Sequence, residues 1–213
     1  DISFQCSISE MPTQPAGYLR RTVMALEPNV IELYEGAVQN MLPILGGIRE
    51  NQLTASTPCT EWNVQNLVIH NIKVTGFAQG TIRGNNAVDA MDVSGQVPSE
   101  GAVDAFVTGT NGVLDLLKNS ADLGEVIETP FGNMPIAHFI MFPILDIVIH
   151  KWDLAKGTGQ STDIDAGLAE ATYGALQTGA ELGRQFGIFA AEVEIPMSAS
   201  IQEKLLAVSG RMP

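Results

Sequence analysis

The sequence predicts an all-α fold, an antiparallel helical bundle with a short extended and helical decoration at the C-terminal end. Three observations carry that prediction. Apolar residues recur at helical spacing through long segments separated by turn-rich loops. Only two short stretches, 125–132 and 193–196, read as extended. No internal repeat or low-complexity tract interrupts the chain, so four long helices packed around one core are the simplest architecture.

Residues 1–27 mix Ser, Pro, Gln and Thr, with few apolar residues before Tyr18 to Leu26. They read as an extended arm with a short helical turn near Leu19–Leu26. No basic region followed by an apolar core is present there, so the arm is not an intact secretory signal. The bundle domain is expected over 28–213. Its first helix starts at Pro28, a residue suited to a first helical turn. Val30, Ile31, Leu33, Tyr34, Ala37, Val38, Met41 and Leu42 form its apolar face, Pro43 is a kink point, and Gly46-Gly47 loosen its end. A turn-rich loop, Thr54 to Asn63, offers Thr60 or Asn63 as the next N-cap. The second helix covers about 64–82, with Val64, Leu67, Val68, Ile72 and Phe77 as core and His70 in its second turn.

A Gly/Asn/Asp-rich loop over 84–98 follows, then a third helix from about Glu100 to Leu117. A fourth helix is expected from Met134 to Lys156, closed by Gly157 and Gly159. A fifth, rich in Ala and Leu, covers 165–186, and a short one covers Ile201–Val208.

The chain has 213 residues, enough for one substantial domain, and 45% of them are hydrophobic, which fits a large core. No apolar stretch reaches the ~18 residues of a membrane span. With 24 acidic and 11 basic residues the net charge is −13, so nucleic acid and membrane surfaces are excluded as partners. Cys6 and Cys59 are distant and form no CxxC, which argues against a disulfide framework and for the cytoplasm.

The chemistry concentrates in the run from Phe139 to Leu154. It is almost wholly apolar, yet Asp146, His150 and Asp153 fall at i, i+4 and i+7, one polar stripe on a buried helix. Buried ionisable groups are costly unless paired or bound to a metal. His70, on another helix, adds a second imidazole. Two histidines and a carboxylate are the ligand count of an open metal site. Zinc suits the set best, with nickel, iron(II) or manganese as alternatives, and a purely hydrogen-bonded core histidine is the competing reading.

The segment Thr57-Pro-Cys-Thr-Glu-Trp-Asn-Val-Gln-Asn-Leu-Val-Ile-His70 resembles the TPC-x-x-W-x-V-x-x-L-x-x-H signature of the mycothiol-dependent maleylpyruvate isomerase-like metal-binding proteins, within the DinB-like superfamily. Asp146-Ile-Val-Ile-His150-Lys-Trp-Asp-Leu-Ala-Lys-Gly-Thr-Gly is similar to a second signature, D-x-x-x-H-x-W-D-L-A-x-x-T-G. The tail Leu205-Leu-Ala-Val-Ser-Gly-Arg-Met-Pro213 is similar to the LL-A-x-x-G-R-x-P ending of one subfamily.

The resemblance spans Pro28 to Pro213. It implies a four-helix bundle with up-down-down-up topology and a metal held by His70, Asp146 and His150. It also implies that the metal binds the sulfur of a low-molecular-weight thiol cosubstrate and presents a thiolate to a small-molecule electrophile.

Two departures shape the expectation. The isomerases usually carry Glu where this chain has Asp146; the subfamily with the matching tail shares the Asp, so Asp146 stays a ligand. The isomerase proper has a further domain and this chain ends at Pro213. The expected function is therefore a divalent-metal-dependent thiol S-transferase or isomerase-like enzyme, not maleylpyruvate isomerisation itself.

The alternative is a non-catalytic metal- or ligand-binding bundle. In a third reading, the arm docks on a partner or on a second copy, making a homodimer. Asp153 is expected either to orient His150 from behind or to bond backbone at a helix end. Trp62 and Trp152 read as core or pocket wall, and His138 as a pocket-lining candidate. Cys59 precedes a helix start, where a thiolate is favoured, but has no partner His nearby in sequence and reads as a turn residue. Arg211 is expected either to clamp a carboxylate or, as the simpler reading, to pair with one of the many surface acids.

Overall fold

The computed structural model describes residues 29–85, 87–185 and 188–213. The arm, with Cys6 and the helical turn expected near Leu19–Leu26, lies outside the described residues, as does Pro28. Asn29 caps α1 (Val30–Gly47), its side-chain oxygen accepting from the Ile31 N–H at 3.1 Å. The helix runs through Pro43 to Gly47. Its end is fastened by two glutamine amides. Gln160 Nε2 donates to the Ile44 carbonyl at 2.9 Å, and Gln52 Nε2, from a short 3-10 turn at Glu50–Gln52, donates to the Thr158 carbonyl at 2.8 Å.

Asn63 caps α2 (Val64–Ile82) in a reciprocal box with Asn66, at 2.9 and 3.2 Å. The loop after α2 does not swing free. It runs back along one helical face, where Gln65 donates to the Gly95 carbonyl, Asn66 to that of Val93, and Lys73 pairs with Asp92 at 3.0 Å. Val88 packs close over Gly76. This strap leads into α3 (Ala102–Asp115) and a π-helical turn at Leu116–Ser120. Gly109 and Gly112 let α3 approach α2 closely: a Cβ at 109 would fall 1.9 Å from Thr75 Oγ1.

The expected helix from Met134 to Lys156 begins differently. Met134–Pro135 form β2, paired antiparallel with β1 (Val126–Ile127), in the register Val126↔Pro135 and Ile127↔Met134. A single turn, α4 (Ile136–Phe139), then breaks before α5 (Met141–Thr158). The cause is Pro143. It has no N–H for the carbonyl four residues back, that of Phe139, and its ring crowds the same carbonyl, so the helix restarts with Pro143 in its first turn. Gly159, at φ +70°, ends α5 two residues beyond the expected Lys156. α6 (Ala166–Gln185) and α7 (Ile201–Val208) follow, the latter capped by a Ser200–Glu203 box.

The fold is mostly helical, as expected, with one two-stranded ribbon among the described residues. α1 packs on α5 and α3, and α2 packs on the same two, so the four close a ring around the core. Tyr34, Met41, Leu67, Phe106, Ile147 and Leu154 fill it. α6 packs outside, against α5, α1 and α7. No described helix is long and apolar enough to cross a membrane.

Candidate metal centre

The packing of α2 on α5 decides where the stripe residues point. Gly157 makes the approach possible at one end of α5, because a Cβ there would meet the Ser56 carbonyl at 3.0 Å and Val64 Cγ2 at 3.3 Å. The turn before α2 is held by the Thr57 hydroxyl, which donates to the Trp62 carbonyl at 2.7 Å and to that of Cys59 at 3.1 Å. The Trp62 N–H closes it onto the Cys59 carbonyl at 2.9 Å. Trp62 is thereby laid against both imidazoles, its ring centroid 4.5 Å from that of His70 and 5.9 Å from that of His150.

His70 Nε2 lies 3.1 Å from Asp146 Oδ1, and His150 Nε2 lies 3.5 Å from the same oxygen. The two imidazole rings meet edge to face, 5.1 Å apart. One ligand atom from each of the three residues falls within 4.8 Å of the others. Both histidines are buried, and the Asp146 side chain is 25% exposed.

The outer ring nitrogens fix the tautomers. His70 Nδ1 donates to the Ala90 carbonyl at 2.8 Å, and His150 Nδ1 donates to Asp153 Oδ2 at 2.9 Å. The 3.1 Å contact of His70 Nε2 with Asp146 Oδ1 is a hydrogen bond that the protonated ring donates, while in the neutral form, with the proton on Nδ1, each ring turns the lone pair of Nε2 toward Asp146. Two lone pairs and a carboxylate then converge on one point, which favours positive charge there. Burial draws the His70 imidazole down, but the charge of Asp146, the hydrogen bond to it and the Ala90 carbonyl together hold it above its usual value. Burial pushes Asp146 up, while His70 and His150 hold its carboxyl below the ordinary range. Asp146 Oδ2 is buried and has no hydrogen-bond partner among the described residues. Two aligned imidazoles and a carboxylate with an oxygen to spare fit a divalent cation.

The sequence-predicted residues are thus brought together: His70, Asp146 and His150 in the cluster and Asp153 directly behind His150. Trp62 is wall. Trp152 is core at 2% exposure, with Lys156 Nζ 4.9 Å over its ring. His138 is exposed on α4 and is not a member of the cluster. Cys59 supplies a carbonyl to the turn, and burial, with Asp153 next, pushes its thiol up to about 11.

Arg211 is the correction. It does not pair with a surface acid. Its Nη2 lies 2.9 Å from Oδ2 of Asp153, which is fully buried, and its own side chain is only 10% exposed. Neither this contact nor the Ala90 carbonyl carried a periodic signal, because both reach the site from segments far along the chain.

The sequence profile of the family described as the mycothiol maleylpyruvate isomerase N-terminal domain matches residues 35–155. Two relatives from Mycobacterium tuberculosis, the uncharacterized protein MT0763 of strain CDC 1551 and the uncharacterized protein Rv0738 of strain H37Rv, are each 30% identical over 175 residues. In each case the match covers 79% of this chain and 90% of the relative. No solved structure gives a significant match. The matched span contains all three residues of the cluster and ends just beyond Asp153, and the chain belongs to the mycothiol maleylpyruvate isomerase N-terminal domain family.

Proposed function

We propose that this protein is a divalent-metal-dependent thiol S-transferase or isomerase-like enzyme acting on a small electrophile. His70, Asp146 and His150 are its metal ligands. The observation that carries the reading is the pairing of two Nδ1-anchored imidazoles with a carboxylate whose second oxygen is buried without a partner among the described residues. Zinc suits two nitrogens and one oxygen with positions left for another ligand. The ring of α1, α2, α3 and α5 is the up-down-down-up bundle of the DinB-like proteins in this reading.

A divalent cation held by His70, Asp146 and His150 would supply Lewis acidity that lowers the pKa of a thiol cosubstrate. The residues of the chain do the rest. Ala90 and Asp153 hold the protons of the two rings on Nδ1, so that His70 and His150 act as neutral donors and not as acid–base groups. Asp146 contributes the compensating negative charge. Trp62 covers one side of both imidazoles and keeps water from that face.

Metal analysis of the natively purified protein tests the first half of the reading. Near-stoichiometric zinc in the wild type is expected, with loss of most of it in His70→Ala and His150→Ala. A wild type without any divalent metal sinks the proposal. Conjugation of a low-molecular-weight thiol to a generic electrophile, with and without chelator, tests the second half. Metal without chelator-sensitive conjugation assigns the protein to non-catalytic metal binding instead.

A further inference from the structure

Arg211 belongs to the C-terminal motif that the chemistry above leaves unused, yet its position is built with care. Its backbone N–H donates to the Leu206 carbonyl at 2.8 Å, behind the end of α7. Gly210 makes the reversal at φ +80°, a conformation that favours glycine, and a Cβ there would meet the Ala190 Cβ at 2.7 Å. Nη1 then donates to the Ser209 carbonyl at 2.9 Å. That leaves Nη2 and Nε for Asp153, at 2.9 Å to Oδ2 and 3.4 Å to Oδ1. The same Oδ2 accepts the Nδ1 proton of His150 at 2.9 Å.

We propose that Arg211 is a positioning residue for the metal centre, acting through Asp153 on His150. This rests on the metal-binding reading. A carboxylate turns easily about its last side-chain bond, because that torsion has broad, shallow wells. Contact with two guanidinium nitrogens removes the freedom and selects the plane in which Oδ2 meets His150. The guanidinium also balances a carboxylate that has no access to water, so the anion is tolerated in an apolar helix. The imidazole of His150 is therefore aimed by a chain of three groups whose far end is fixed to α7.

Metal-free wild type, Arg211→Met, Arg211→Lys, Asp153→Asn and the Arg211→Met/Asp153→Asn double variant are titrated with Co(II). The d–d absorption and competition with a chromophoric chelator are recorded, and far-UV circular dichroism checks folding. Loss of an outer partner of a ligating histidine costs about 10- to 100-fold in metal affinity. Arg211→Met is expected near the lower limit, about tenfold weaker with a shifted d–d band. Arg211→Lys, which keeps the charge and loses the fork, is expected between it and wild type.

In the Asp153→Asn background the Met substitution is expected to change affinity by no more than about twofold, since the link is already cut. A folded Arg211→Met with wild-type affinity and spectrum overturns the inference, as does the same tenfold loss in the Asp153→Asn background. If Arg211→Met does not fold, Arg211→Lys decides: a shifted band with weaker binding supports the inference, and no change in either overturns it. A wild type that takes up no Co(II) removes the metal-binding reading itself, and the inference with it. Binding by wild type with Arg211→Met unaffected removes only the positioning role.

Discussion

Cys59 lies close enough to Asp153, Asp146 and Glu61 to feel their charge, yet it is half-buried and shows no sign of an activated thiol. With its pKa near 11, about one molecule in a thousand carries the thiolate at pH 8, against roughly a quarter for an ordinary thiol of pKa ~8.5. Iodoacetamide at pH 8 is therefore expected to alkylate Cys59 about a hundredfold more slowly in the native protein than after denaturation. Peptide mass mapping separates it from Cys6. Equal native and denatured rates would show that burial does not protect the sulfur.

The residues of the His70–Asp146–His150 cluster are legible in the sequence because polar side chains on an apolar helix must be explained by something. Arg211, 58 positions from Asp153, was not legible, since local spacing says nothing about which acid a distant guanidinium will find. The Ala90 carbonyl was invisible for a simpler reason: a backbone acceptor leaves no mark on residue type.

Among the elements, most helices follow their apolar periodicity, and α2 and α7 keep the bounds expected of them. α5 starts later than its apolar run predicts, because the pairing of Met134–Pro135 with Val126–Ile127 and the break imposed by Pro143 override that run. The Gly/Asn/Asp-rich composition of the loop over 84–98 carries no sign that it is strapped along α2. Asp92 holds part of that strap. Hydrogen bonds from Ser94 and then Lys73 lower its carboxyl from 3.8 to about 2. A depressed carboxyl contributes order above its unfolded value, and that contribution is lost as pH falls through the folded one. The strap is expected to stay closed at pH 5 and to loosen between about pH 4 and 2. Two-dimensional NMR would follow the Asp92 and Ser94 signals, and a midpoint near 4 with no chemical shift coupling to Lys73 would refute the assignment.

For the molecule as a whole, the cluster joins His70 on α2 to Asp146 and His150 on α5, elements separated by a long stretch of chain. A ligand that binds only the native state stabilises it by mass action, by about 2.7 kcal/mol at a hundredfold excess over Kd. Zinc at that excess is expected to raise the thermal unfolding midpoint of the wild type by several degrees, at roughly 2–4 °C per kcal/mol for a domain of this size. His70→Ala should lose the increment while keeping its own metal-free transition. A metal-independent midpoint in wild type would argue that α2 and α5 are held by apolar packing alone. The chain contains two tryptophans, and the fold separates their surroundings: Trp152 lies in the core beneath Lys156, while Trp62 rests against both imidazoles. The molecule thus carries its own optical reporter, since the indole of Trp62 lies against both rings of the cluster and a Trp152→Phe background would isolate its emission.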